Sequence, residues 1–175
     1  MTNFEINKSI EILERTPLVI GTLLTGLSTD WIFNNEGGES WSPFDVVGHL
    51  IHGEKTDWIP RLKIITGGSN NKSFVPFDRF AQMNANKEKN INDLIIEFKT
   101  LRDENLKILK STPINKTILD MKGIHPAFGY VTLTQLLAAW VVHDLGHISQ
   151  VARVMAKQYK EDVGPWTEYL TILNK

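Results

Sequence analysis

Apolar and polar positions recur along this chain with helical spacing. In "NKSIEILERTPLVIGTLLTGL" the residues Ile10, Leu13, Pro17, Ile20, Leu24 and Leu27 follow one another at three- and four-residue steps, which is the period of one helix face. Pro17 has no amide N–H, so it starts a second helical piece or kinks the first. "STDWIFNNEGGESWSP" is rich in Ser, Asn and Gly and reads as a loop. In "SWSPFDVVGHLIHGEKTDWIPRLKIITGG" Ser42 is a candidate N-cap, Pro43 suits the first helical position and Asp45 falls in the first turn. Phe44, Val47, Leu50, Ile51, Trp58 and Leu62 supply its apolar face. Pro60 bends or interrupts this helix, and Gly67-Gly68 ends it.

"SNNKSFVPFDRFAQMNANKEKN" reads as a polar connection with a helical turn near Phe80. "INDLIIEFKTLRDENLKILKS" is the clearest amphipathic helix, with Leu94, Phe98, Leu101, Leu106 and Leu109 inward and Lys and Glu outward. "TPINKTILDMKGIHPAFGYVT" is expected to be a loop crossing one end of a bundle. "TLTQLLAAWVVHDLGHISQVARVMAKQYK" predicts a helix of about seven turns, capped by Thr132 or Thr134. The tail "EDVGPWTEYLTILNK" breaks at Gly164-Pro165 and ends in a short apolar piece. No segment sustains strand alternation. The expected fold is all-α: a four-helix bundle with long inter-helix connections.

The chain has 175 residues, 42% of them hydrophobic and 22% charged, as expected for one folded domain spanning 1–175. A net charge of −1 gives no electrostatic case for nucleic acid or an anionic membrane as partner. The chain contains no cysteine, which excludes disulfides, thiolate metal sites and a cysteine nucleophile. The first residues do not read as a signal peptide, and no apolar run approaches the roughly 20 residues that span a bilayer. A cytoplasmic location is the default expectation.

Chemistry concentrates in the histidines. His143 and His147 stand at i and i+4 in "HDLGH". Four residues advance about 400° on a helix, so both side chains leave one face a turn apart. The same stripe carries Leu133, Leu136, Trp140, Val151 and Val154, so the pair points toward the core. Two imidazoles at this spacing chelate a divalent ion or pack as polar core residues, each then needing a hydrogen-bond partner. The spacing alone leaves both readings open. His49 and His52 lie in "GHLIHGE". His49 faces inward, and His52 lies about 300° further round, at the edge of that face. A third imidazole from an antiparallel neighbour would complete a three-histidine set with an open position, the arrangement of a catalytic zinc site. Three nitrogens do not choose among zinc, nickel, iron(II) and manganese. Asp144 stands where the zincin motif HExxH needs Glu, and the Glu-x-x-His pairs of a ferritin-type centre are missing.

The segments "WSPFDVVGHLIHGE", "FDRFAQMNANKEKNINDLIIEFKTLRDENLKIL" and "HDLGHISQVARVM" resemble, in order and spacing, the DinB/YfiT-like superfamily, from about Trp41 to Met155. The resemblance implies a four-helix bundle, commonly homodimeric, holding a divalent metal on three histidines, here His49, His143 and His147. Zinc or nickel is expected ahead of iron or manganese. His52 matches no ligand position and stays a candidate supporting residue, while Gln150 matches the family's recurrent Gln. The resemblance implies a small-molecule substrate and a thiol-dependent S-transferase-like activity with a low-molecular-weight thiol such as bacillithiol. A hydrolase using metal-activated water and a non-catalytic stress-response or dimerisation module are the alternatives. Glu54, Asp57 and Asp144 are candidate proton acceptors or groups that orient an imidazole. Trp41, Trp58 and Trp140 are available to line a pocket, Arg153 is expected at the surface or an interface, and His125 at a pocket rim or, in preference, in an exposed loop.

Overall fold

A computed structural model describes residues 4–174; Met1 to Asn3 and Lys175, the outermost positions of the expected domain, lie outside the described residues. The helices are α1 (Ile6–Leu24), α2 (Thr29–Phe33), α3 (Pro43–Thr56), α4 (Trp58–Thr66), α5 (Ala81–Ala85), α6 (Ile91–Ser111), α7 (Lys116–Leu119) and α8 (Leu133–Lys157). Strands β1 (Lys122–His125) and β2 (Gly129–Thr132) form a hairpin between α7 and α8, and two 3₁₀ turns, Gly164–Glu168 and Thr171–Asn174, follow α8. No helix among the described residues is long and apolar enough to cross a membrane.

Local chemistry explains the boundaries. Ser42 accepts from the Asp45 amide while the Asp45 carboxylate accepts from the Ser42 amide at 3.0 Å, a complete capping box. Thr132 and Gln135 do the same for α8, so Thr132 rather than Thr134 is the cap. α3 and α4 part at Asp57 because Pro60 cannot donate to the Thr56 carbonyl; in the first turn of α4 its missing N–H costs little. Pro17 does not divide α1. It does strip the Leu13 carbonyl of its helical partner, and Arg102 Nη1 donates to that oxygen at 2.8 Å instead.

Two expectations need correction. "TDWIF", read as loop, forms the single turn α2, whose Ile32 is buried. The expected loop after α6 contains the hairpin, paired Lys122↔Thr132 to His125↔Gly129. Its strands are too short to show alternation, and they are held from outside: the Phe74 amide donates to Ile124 O at 2.9 Å and the Ile124 amide to Lys72 O at 2.8 Å.

The core falls into two apolar clusters. One includes Leu13, Trp58, Leu62, Leu106, Leu136 and Trp140. The other includes Ile20, Leu24, Val47, Leu50, Phe98 and Val151. Chain order through the clusters gives the direction of each helix. α1 and α8 run from the first cluster to the second, and α3 and α6 run from the second to the first. α3 is therefore antiparallel to α8. The connection from α3–α4 to α6 must return along the length of the bundle, and residues 67–90 make that crossing with α5 in it.

Between the clusters lies a polar layer: Thr16 on α1, Glu54 on α3, Arg102 and Asn105 on α6, and Asp144 on α8, all buried. Arg102 Nη2 and Nε donate to Glu54 Oε1 at 2.7 and 3.0 Å, and Nη1 and Nη2 donate to the two oxygens of Asp144 at 2.6 and 3.2 Å. Asn105 Nδ2 donates to both Glu54 Oε2 and the Glu54 carbonyl at 2.8 Å. The layer ties all four long helices together at the level of His143 and His147.

Candidate metal centre

His49 reaches the site from the middle of α3, and His143 and His147 from successive turns of α8. Their Nε2 atoms converge: 3.0 Å separates His49 from His143, and 3.1 Å separates His147 from His143. One ligand atom from each residue lies within 4.8 Å of the others. Three nitrogens about 2.0–2.1 Å from a common tetrahedral ion stand roughly 3.3 Å apart, close to both separations from His143. The donor set is all-imidazole and suits zinc, nickel, copper or iron.

His49 and His147 are in the state a metal requires. Burial, followed by the neighbouring His147 and His143, pushes His49 down to about 3. Burial and His143 push His147 down to about 4, although its bond to Gln150 opposes this. Both are neutral near pH 7, with lone pairs free for coordination. The 2.8 Å contact between His147 Nδ1 and Gln150 Oε1 puts the ring proton on Nδ1 and leaves Nε2 as the acceptor. Gln150, one turn further along α8, thus orients a candidate ligand. His143 Nδ1 lies 3.8 Å from Asp144 Oδ1, too far for a hydrogen bond, with the carboxylate held by Arg102. The rings pack against tryptophans: His49 on Trp41 with centroids 4.7 Å apart, His143 edge-on to Trp58 at 5.1 Å.

The three rings form one wall of a cavity of about 500 Å³. Trp41 and Trp58 line it; Trp140 does not, and is buried behind Trp58 in a stack with centroids 5.6 Å apart. Asp57 lines it, paired with Arg61, and burial raises its carboxyl above the ordinary carboxylate range. Glu54 and Asp144 do not reach it, because both point into the polar layer. Burial tends to raise Asp144, but the charge of Arg102 and the hydrogen bonds to the carboxylate together outweigh it and hold the carboxyl below its usual 3.8. His52 stands apart, 4.9 Å from the Phe77 ring and outside the imidazole cluster.

Arg153 and His125, expected toward the surface, both meet the cavity. Arg153 lines the cavity and donates to both Glu36 oxygens at 2.7 and 2.8 Å. The position six residues past His147 turns toward the site because the α1–α3 connection brings Glu36 to meet it. His125 is half-buried at the cavity rim, since the hairpin folds over the bundle end. Arg61, Arg79, Phe77 and Glu36 also line the cavity. For Arg61 the i, i+4 spacing from Asp57 was a signal; for Arg79 and Phe77, on the crossing segment, the pattern offers none.

Known proteins share this architecture. YfiT from Bacillus subtilis, described as a probable metal-dependent hydrolase with an unusual four-helix bundle topology, superposes with a TM-score of 0.73 at 17% identity, covering 94% of this chain and 90% of that one. No curated protein matches the chain. The family model of the DinB superfamily matches residues 12–151. With that match over most of its length and the shared bundle, the chain belongs to the DinB superfamily.

Proposed function

We propose that this protein is a divalent-metal-dependent enzyme, with His49, His143 and His147 as the ligands and an external low-molecular-weight thiol as the nucleophile. The observation that carries the reading is the convergence of three imidazole Nε2 atoms on the wall of an open cavity. A divalent ion held there supplies Lewis acidity, which lowers the pKa of a thiol or water in the cavity. Gln150 fixes the tautomer and tilt of His147. Trp41 and Trp58 shield the imidazoles from bulk water on two sides.

The cavity charge favours an anionic cosubstrate. Arg61, Arg79 and Arg153 balance Glu36, Glu39 and Asp57 before any ion is added; a divalent ion on the imidazoles would leave the site positive. Arg79 lies over the Trp41 ring at 5.6 Å, where its donors can reach a carboxylate. Thiols such as glutathione and bacillithiol carry carboxylates, and a chain without cysteine needs an external thiol for this chemistry. Asp57 favours hydrolysis as a second reading, because a cavity carboxyl raised by burial is better matched to accepting a proton from water. The description of YfiT as a probable hydrolase points the same way.

The deciding experiment measures metal in untagged protein and in His49→Ala and His143→Ala, then assays an electrophile such as monochlorobimane with glutathione, with bacillithiol and with no thiol. Stoichiometric metal lost in both variants, with thiol-dependent conjugation, is the expected result. Turnover of ester or amide substrates independent of thiol would select hydrolysis. Parent protein that takes up no zinc, nickel, iron or manganese would overturn the ligand assignment.

A further inference from the structure

The cavity beside the imidazoles borders a second. Asp57, Trp58, Arg61 and His125 form a wall common to both, and the second space measures about 460 Å³. It lies between the hairpin and the first half of α8, with Phe74, Phe128, Tyr130 and Leu136 among its lining. The chemistry changes across the shared wall. On one side are imidazoles, guanidiniums and carboxylates; on the other, mainly aromatic and aliphatic groups.

The hairpin tip is unusual for a surface. Phe128 and Tyr130 are 76% and 72% exposed. Gly129 stands between them at φ 69, in the left-handed region that side-chain-bearing residues seldom adopt, which holds the tight turn. Phe128 is stacked on His125 with centroids 4.4 Å apart and rings 13° from parallel. Large aromatics left in water beside an apolar cleft mark a surface that gains by being covered. A pocket of this size accepts a one- or two-ring group.

We infer that the hairpin cleft is the subsite for an aromatic or aliphatic arm of the small-molecule substrate whose reacting group lies at the imidazoles. The inference rests on the metal-centre reading and deepens it: the substrate is two-ended, with a polar, metal-facing end and an apolar end, joined by a linker that passes between Trp58 and His125. The shared wall of the two cavities carries the assignment, because a molecule filling the cleft abuts the residues that line the imidazole site. The hairpin then selects the acceptor, while the metal centre activates the nucleophile.

A chelating series tests it on the metal-loaded protein. Acetohydroxamate, phenylacetohydroxamate, 4-phenylbutanohydroxamate and 6-phenylhexanohydroxamate are titrated by calorimetry. At least one phenyl tail is expected to bind ten times or more tighter than acetohydroxamate. In Ala139→Phe, which fills the cleft from an exposed position of α8, the gain should fall below threefold, and Tyr130→Ser should reduce it. Metal content and melting temperature confirm that the variants fold. No gain in the parent at any tail length, or an equal gain in Ala139→Phe, would overturn the subsite. Protein that binds neither metal nor acetohydroxamate would refute the metal-centre reading itself, and the subsite with it.

Discussion

Replacing Arg102 with Met deletes one charge and five hydrogen bonds while keeping an unbranched apolar stem. Glu54 and Asp144, 2% and 0% exposed, lose their cation, and the Leu13 carbonyl loses the donor that replaces the missing Pro17 amide. Breaking a buried pair by removing one partner costs about 3–5 kcal/mol, and orphaning a buried carbonyl adds about 1–3 kcal/mol. Proton uptake by a stranded carboxylate limits the first cost, so the expected loss is about 4–6 kcal/mol. That is comparable to the whole stability of many domains. Urea unfolding at pH 7, followed by tryptophan fluorescence, measures it, since Trp140 lies under the guanidinium at 5.1 Å. In the parent, Asp144 has a depressed pKa, so its contribution is present above 3.8 and disappears as pH falls through the lower folded value. In Arg102→Met the Asp144 carboxyl shifts up instead and Glu54, already raised by burial, shifts further up, so the penalty is full near neutrality and shrinks as pH falls toward their unfolded values. The triple variant Arg102→Met/Glu54→Gln/Asp144→Asn should recover at least half of the loss. A cost below about 1 kcal/mol, the value of an exposed ion pair, would refute the claim that Arg102 holds the layer together.

Gln150→Ala should lower metal affinity about 10- to 100-fold with the fold intact, as competition with a chelator will show; the usual effect of losing a ligand-orienting bond is of this size. The Glu36 carboxyl should titrate near 2 by NMR, pulled down from 4.5 first by its hydrogen bond from Arg153 and further by Lys157, against burial. Arg153→Gln should move it back up. The stability from this pair is present above 4.5 and lost as pH falls through about 2. Gly123→Ala should cost about 1–3 kcal/mol by thermal unfolding, because its new Cβ overlaps the Phe74 ring and lies 3.0 Å from Ile65 Cγ1.

Much of this architecture is written locally. Ser42-Pro43 and Asp45 announce α3, the charge-and-leucine alternation announces α6, and the inward stripe of α8 carries His143 and His147 to their positions. Arg102 is the opposite case. It sits in "LRDENLK", whose residue types indicate a solvated face although the four-residue steps from Phe98 and to Leu106 put position 102 on the inward stripe, and only carboxylates from α3 and α8 make burial of its charge favourable. Arg79, Phe77 and the hairpin aromatics escaped for a related reason: their place depends on how the crossing segment and the hairpin lie over the bundle. Ligand identity is therefore local to two helices, whereas the rest of the cavity is assembled from connections whose paths are set by tertiary packing.

The separation of the imidazoles along the chain has a kinetic consequence. His143 and His147 are four positions apart, and His49 lies 94 positions from His143. A refolding chain can offer an ion two nitrogens as soon as α8 coils, a nanosecond-to-microsecond event. The third nitrogen arrives only after α3 has docked antiparallel to α8, once the return crossing has been made. Full coordination thus reports completed assembly rather than helix formation. An ion captured early would serve as a tether, waiting on α8 and drawing α3 into register as the bundle closes.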